Sequence, residues 1–81
     1  MNEYNISWTN LEQEFAALKR KTATENPKLT PAVKELETAV KARKPSGITA
    51  AVKKYAAAFS SATFANLASA GILELIKIFA H

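Results

Sequence analysis

The 81-residue sequence contains no cysteine and no aspartate, and its only histidine is the last residue, His81. Without cysteine the chain cannot form disulfides, thiolate metal sites or a cysteine nucleophile. The seven glutamates form no obvious set, and neither a glycine-rich phosphate loop nor a metal-ligand spacing is present. The sequence therefore predicts a cytoplasmic protein that is not an enzyme and has no cofactor and no small-molecule substrate.

Glycine and proline are also scarce, with two glycines and three prolines, and they stand where they would punctuate helices. The alternation of polar and apolar residues that is typical of strands is missing. A chain of this length hides only about 60–65% of the surface that its unfolded form exposes, so its core must be shallow. We expect one all-α domain over residues 1–81, folded as a small antiparallel bundle of about four helices.

The first helix has a recognisable start. Thr9-x-x-Glu12 has the form of a capping box, which places the first residue between Ser7 and Thr9. The stretch from Thr22 to Lys28 lacks periodicity, and Pro27 opposes continuation of the helix, so we expect a loop there.

The second helix also has clear signals at its ends. Thr30 is a good N-cap, and Pro31 suits the first helical position because its missing N–H costs nothing there. Glu37 and Lys41 form an i,i+4 pair that we place on the exposed side. Pro45-Ser46-Gly47 is expected to form the tight connection that follows.

The segment from Ile48 to Ala80 carries most of the remaining apolar residues. We expect a third helix near residues 47–59 and a fourth near 62–80, separated at Ser60-Ser61, because serine competes for local backbone hydrogen bonds. One continuous or kinked helix is the alternative. The residues expected in the core are Trp8, Leu11, Phe15, Leu18, Val33, Leu36, Val40, Ile48, Val52, Tyr55, Phe59, Phe64, Leu67, Ile72, Leu75, Ile76 and Phe79.

The last two turns of the fourth helix are apolar on most sides, with only Glu74 and Lys77 left for water. Such a helix is usually central, with neighbours on several faces, or is covered by another molecule. The residues that we select as a candidate protein interface are Leu73, Ile76, Ile78 and Phe79.

Positive charge is concentrated in the second half of the chain. Residues 1–40 hold five Lys/Arg and six Glu, whereas residues 41–81 hold six Lys/Arg and one Glu. Such a cluster suits an acidic partner, a phosphate or an anionic membrane surface, although a solvated basic turn would look the same. We call the following five residues the basic patch: Lys41, Arg43, Lys44, Lys53 and Lys54.

The run from Tyr55 to Leu73 carries no charge and has the length of a membrane span. Serine, threonine and asparagine interrupt it, however, and much of the rest is alanine. Small residues at this spacing allow helices to approach closely, either in a soluble core or in a membrane. The sequence favours the soluble core, with a surface-active or pore-forming helix as the alternative.

The alanine-rich C-terminal segment, over about 35 residues, resembles the closing helices of small effector-associated or death-like helical modules in bacterial defence proteins. This resemblance implies recruitment of effectors through helix-bundle contacts. The chain is also similar in size and charge to basic four-helix bacteriocin immunity proteins. The residues that carry the first resemblance are Ala50-Ala51-Val52-Lys53-Lys54-Tyr55 and Phe64-Ala65-Asn66-Leu67-Ala68-Ser69-Ala70-Gly71-Ile72-Leu73-Glu74-Leu75-Ile76.

Three functional hypotheses follow from these features. The first is a non-enzymatic protein-interaction module, an adaptor or immunity-type protein, that binds another protein or a second copy of itself. The second is action at an anionic membrane surface through the fourth helix and the basic patch. The third, nucleic-acid binding, is unlikely because the helices offer few side chains able to read bases and the charge is modest.

Overall fold

The computed structural model describes residues 7–80, which leaves His81 outside the described part. Residues 7–80 form six α-helices and no strand, so the predicted all-α class is confirmed. Four of the six helices have ten residues or more. The helices are α1 (Trp8–Glu25), α2 (Thr30–Ala42), α3 (Pro45–Lys54), α4 (Ala56–Phe59), α5 (Ala62–Leu67) and α6 (Ala70–Phe79), with a 3₁₀ turn at Pro27–Leu29 before α2.

Helix α1 is longer than the sequence pattern suggests. The predicted loop at Thr22 is wrong because Thr22 continues the buried stripe of Leu11, Phe15 and Leu18. Its hydroxyl donates to the carbonyl oxygen of Lys19 at 3.1 Å, which satisfies a polar group inside the core. The predicted capping box is also wrong, since α1 begins at Trp8 and has no side-chain hydrogen bond at its cap.

The connection between α2 and α3 is shorter than predicted. Helix α3 already begins at Pro45, so the expected Pro45-Ser46-Gly47 connection lies inside it. Arg43 takes the left-handed conformation with φ 55°. The N–H groups of Arg43 and Lys44 donate to the carbonyl oxygens of Val40 and Ala39 at 3.0 and 3.3 Å. This is a Schellman ending, and it reverses the chain within two residues.

The C-terminal third is interrupted three times. The predicted break at Ser60-Ser61 is confirmed: Ser61 caps α5, and its hydroxyl oxygen accepts from the N–H of Phe64 at 3.2 Å. The breaks at Tyr55 and at Ala68-Ser69 were not predicted, and one continuous helix is excluded.

The break before α6 coincides with a long-range contact. The Ser69 hydroxyl donates to the carboxylate of Glu14 on α1. The Glu14 carboxylate fits there because residue 71 is glycine. A Cβ atom at position 71 would lie 2.6 Å from Glu14 Oε1.

Pairs of side chains define how the first three helices run. Glu12 pairs with Arg43 and Lys19 pairs with Glu37, so α1 and α2 are antiparallel. Helices α2 and α3 are antiparallel as well, because Glu35 pairs with Lys54 and Ala39 lies beside Gly47.

The main contacts place α2 between α1 and α3, while α6 packs against both α1 and α3. The prediction that the last helix is central is therefore wrong. Helix α2, which has the larger number of buried residues, makes the more extensive contacts with α1 and α3.

Most of the predicted core residues are buried, including Phe15, Val33, Leu36, Ile48 and Phe64, which are fully inaccessible. The prediction missed several smaller or isolated residues because they do not stand out in an apolar stripe. Four residues predicted to be in the core are instead half-buried and pack against it: Trp8, Tyr55, Leu67 and Ile76. The buried residues that were missed are Leu29, Ala32, Ala51, Thr22 and Glu37.

The left-handed conformation of Arg43 predicts that glycine is more favourable than alanine at this position. An L-residue pays about 1–2 kcal/mol in this conformation, whereas glycine does not. Arg43→Gly and Arg43→Ala both remove the ion pair with Glu12. The difference between their free energies of unfolding therefore reports the cost of the backbone conformation. We expect the glycine variant to have a free energy of unfolding about 1 kcal/mol above that of the alanine variant in urea titrations. Equal stabilities would contradict the left-handed ending.

Two adjacent serines provide a matched pair for testing the cap of α5. Ser61 accepts the backbone N–H of Phe64, whereas Ser60 only donates, to the carbonyl oxygen of Ala56 at 2.7 Å. We expect Ser61→Ala to lower the free energy of unfolding by about 1 kcal/mol. Ser60→Ala should change it by less than about 0.5 kcal/mol. Urea denaturation followed by circular dichroism measures both, and a larger loss for Ser60→Ala would disprove the cap.

Candidate functional site

The four residues of the candidate protein interface lie at different depths on α6. Phe79 is buried in the core at 7% exposure, together with Ile72 and Leu75. Leu73, Ile76 and Ile78 are half-buried and pack against the edge of the core. Phe79 therefore belongs to the core, and only the other three are partly accessible to a partner.

Helical geometry divides these three residues between two flanks of α6. Successive residues of an α-helix are turned by about 100°, so Leu73 and Ile76 project within about 60° of each other. Ile78 is turned by about 140° from Leu73 and lies on the other side of the buried stripe. The predicted four-residue interface is thus not one surface. The connected apolar surface is the pair Leu73 and Ile76, which we call the α6 flank.

Charged residues border the α6 flank. Lys77 follows Leu73 by one helical turn and is exposed, and Glu74 is exposed on the outer side. An apolar pair with a charged border has the composition of a small protein contact, with an apolar centre and a polar rim.

The basic patch is divided by α3. Lys41, Arg43 and Lys44 lie at the start of this helix, whereas Lys53 and Lys54 lie at its end. The nine residues from Lys44 to Lys53 span about 14 Å at the rise of an α-helix. The sequence cluster therefore becomes two separate groups.

Three of the five cations of the basic patch are engaged by glutamates. Lys41 Nζ lies 3.8 Å from Glu37 Oε2, and an Arg43 guanidinium nitrogen lies 3.6 Å from Glu12 Oε2. Lys54 is paired with Glu35. Within residues 7–80, Lys44 and Lys53 are exposed and have no ion pair. The patch is thus largely neutralised, which weakens its attraction for a polyanion.

Glu35, Lys54 and Tyr55 form a polar cluster where α3 ends. Lys54 Nζ donates to the two carboxylate oxygens of Glu35 at 3.2 and 3.3 Å, and the Tyr55 hydroxyl donates to the same carboxylate. The ammonium group also lies 5.3 Å from the centre of the Tyr55 ring. The cluster ties α2 to the end of α3.

These contacts shift all three protonation equilibria. The hydrogen bonds from Tyr55 and then from Lys54 lower the pKa of Glu35. The hydrogen bond to Glu35 raises the pKa of Lys54, and the same carboxylate raises the pKa of Tyr55. Each shift favours the charged Glu35, the charged Lys54 and the neutral Tyr55 together.

Glu37 is the acidic residue whose position differs most from the prediction. Its i,i+4 pair with Lys41 exists, but the Glu37 side chain is only 6% exposed and is not on the outer face. Its shorter contact is with Lys19 on α1, at 2.9 Å. The periodicity of α2 could have suggested burial, since Glu37 follows Val33 by four residues and Leu36 by one.

One surface was missed by the sequence reasoning. A groove of about 490 Å³ lies between α1 and α2. Its α1 residues recur at helical spacing, a signal that is visible in the sequence once α1 is known to continue beyond Thr22. The lining residues are Ala16, Lys19, Arg20, Ala23, Thr30 and Lys34.

No group of three or more acidic, histidine or cysteine side chains that could hold a metal ion occurs within residues 7–80. In the same part of the chain, no helix combines the length and the apolar character that crossing a bilayer requires.

Comparison of the chain with family models, with curated proteins and with solved structures finds no match. The resemblance to effector-associated helical modules accordingly stays a prediction.

The Glu35 cluster predicts a specific dependence of stability on pH. Because the pKa of Glu35 is lowered, its contribution is present above the ordinary value of 4.5 and is lost as pH falls through the lowered pKa. Because the pKa values of Tyr55 and Lys54 are raised, their contribution is present below 10.0 and is lost as pH rises through the raised values.

We therefore expect the wild type to be more stable than Glu35→Gln between pH 4.5 and pH 10.0. The difference in stability should become smaller at lower and at higher pH. Urea midpoints measured across pH test this. Glu25→Gln is the control, because Glu25 is exposed and has no ion pair within residues 7–80. A pH-independent difference for Glu35→Gln would contradict the cluster.

Proposed function

We propose that this chain is a non-enzymatic protein-interaction module, of the adaptor or immunity type, and that the α6 flank is its contact surface. The four long helices form one antiparallel bundle in this proposal, with α6 on its outside. Its partner is another protein or a second copy of the chain. A cytoplasmic location and a role in bacterial defence belong to the same proposal and rest on the sequence features alone.

The observation that carries the proposal is the partial burial of Leu73 and Ile76 side by side on α6. Burial of apolar surface contributes about 25 cal/mol per Å², so covering the remainder of these side chains favours association. Elsewhere in residues 7–80, Trp8, Tyr55, Leu67 and Ile78 are half-buried as well, but none of them has a second half-buried large apolar side chain one turn away on the same helix. The α6 flank is therefore the best-supported apolar contact on the described surface.

Electrostatics supports a protein partner over a polyanion. The engagement of Lys41, Arg43 and Lys54 by glutamates leaves Lys44 and Lys53 at opposite ends of α3. Attraction of the basic patch to a membrane surface, at about 1 kcal/mol per free cation, would then rest on these two residues. Nucleic-acid affinity, which grows with the number of phosphates neutralised, would be limited in the same way.

The proposal predicts that one flank of α6 matters for binding and the other does not. The double substitution Leu73→Ser with Ile76→Ser removes the apolar pair, and we expect it to weaken association about tenfold or more. Ile78→Ser is the control, since Ile78 is also half-buried but lies on the opposite flank. We expect the control to change association by less than about threefold.

Sedimentation velocity measures self-association, and quantitative capture from the source cell measures a partner. Both are compared among the wild type and the two variants after circular dichroism has verified helix content. Equal loss in the double variant and in Ile78→Ser would point to destabilisation of α6 instead of a contact. Absence of both self-association and any partner in the wild type would remove the proposal. Strong co-sedimentation of the wild type with anionic vesicles at low salt would replace it with action at a membrane.

A further inference from the structure

The groove between α1 and α2 has a different chemical character from the α6 flank. Its volume is about 490 Å³, and it is an open groove, not an enclosed cavity. Helix α1 provides two alanines and two cations on one face, and α2 provides Thr30 and Lys34 from its first two turns. The groove is thus a small apolar floor with a cationic border.

No carboxylate lines this groove, although three cations do. Lys19 lies 2.9 Å from Glu37, a carboxylate that it shares with Lys41, so its charge is partly balanced. Arg20 and Lys34 are exposed, and neither has an ion pair within residues 7–80. Two uncompensated positive charges therefore face one concave surface, in contrast to the basic patch, where glutamates engage most of the cations.

The start of α2 adds one further feature to the groove. The Thr30 hydroxyl oxygen is buried and has no hydrogen-bond partner within residues 7–80. A buried polar group without a partner costs about 1–3 kcal/mol, so a rotation of the half-buried Thr30 side chain that turns its hydroxyl towards a ligand in the groove would be favourable. The Thr30 N–H already donates to the carbonyl oxygen of Pro27, and Pro31 has no N–H, so the attraction for an anion at this end rests on the side-chain cations.

We propose that this groove binds the phosphoryl group of a small phosphorylated molecule. A phosphate monoester carries about −1.5 to −2 charges at pH 7, which matches the two free cations, whereas one carboxylate would match only one. The planar guanidinium of Arg20 suits paired phosphate oxygens, and Lys34 supplies a point charge. Ala16 and Ala23 leave room for the apolar part of the molecule. This site is separate from the α6 flank, and either can exist without the other.

The first experiment locates the site with defined probes. ¹⁵N-labelled chain is titrated with phenyl phosphate, inorganic phosphate and succinate, each at the same ionic strength. We expect saturable amide shifts at Ala16, Ala23 and Thr30, with phenyl phosphate binding at least threefold tighter than inorganic phosphate and fivefold tighter than succinate. Chemical-shift changes centred on Lys44 or Lys53 would overturn the proposal. A titration with phenyl phosphate that does not saturate by about 10 mM would also overturn it, because the dissociation constant would then be weaker than millimolar.

The second experiment uses variants matched in charge. Arg20→Gln with Lys34→Gln removes the two free cations of the groove, and we expect it to weaken phenyl phosphate binding tenfold or more. Lys21→Gln with Lys53→Gln removes two exposed cations outside the groove and should change affinity by less than twofold. Thr30→Val, which keeps the shape of the side chain, should weaken binding several-fold.

Circular dichroism verifies the fold of every variant. Equal losses in the two charge variants would reveal general electrostatic attraction, and unchanged affinity in both Arg20→Gln/Lys34→Gln and Thr30→Val would exclude the groove. A short single-stranded oligonucleotide or an anionic vesicle that competes at the groove more than tenfold better than phenyl phosphate would overturn the small-molecule assignment.

Discussion

A carboxylate inside a protein needs a cationic partner, and Glu37 meets this need with Lys19 on the neighbouring helix at 2.9 Å. Removing either partner of such a pair leaves a poorly compensated charge, so alternative alignments of α1 and α2 are disfavoured. The antiparallel register that this pair fixes brings Glu12 to Arg43 at one end of the two helices. At the other end it creates the groove lined by Arg20 and Lys34.

The distribution of charge on the folded surface differs from its distribution along the chain. The basic second half is largely compensated, because glutamates of the first half engage Lys41, Arg43 and Lys54. The uncompensated cations of the groove instead belong to the first half, whose net charge is negative in the sequence. A search for clusters of charge along the sequence would therefore not find the groove. The proposed protein contact on α6 and the proposed phosphoryl site use separate parts of the fold.

Local signals explain which structural predictions succeeded. The apolar stripe of α1 and the serine cap at Ser61 were recognisable because each depends on residues within one or two helical turns. The errors came from contacts made over longer distances. The break before α6 involves Glu14 on the first helix, and the left-handed Arg43 lies where the chain turns from α2 into α3. The four residues of the candidate interface do not share one surface, because Leu73 and Ile76 lie on one flank of α6 and Phe79 is in the core.

The sequence by itself determined that this protein is helical, which residues supply most of its core, and that its last helix carries more apolar side chains than one buried stripe needs. These properties follow from the 3.6-residue period and from local hydrogen bonding. Only the tertiary structure decided which cations are paired, how the accessible apolar side chains of α6 divide between its two flanks and where a groove forms. Those properties depend on pairs such as Glu35 with Lys54, whose members lie 19 residues apart and meet only when the helices pack.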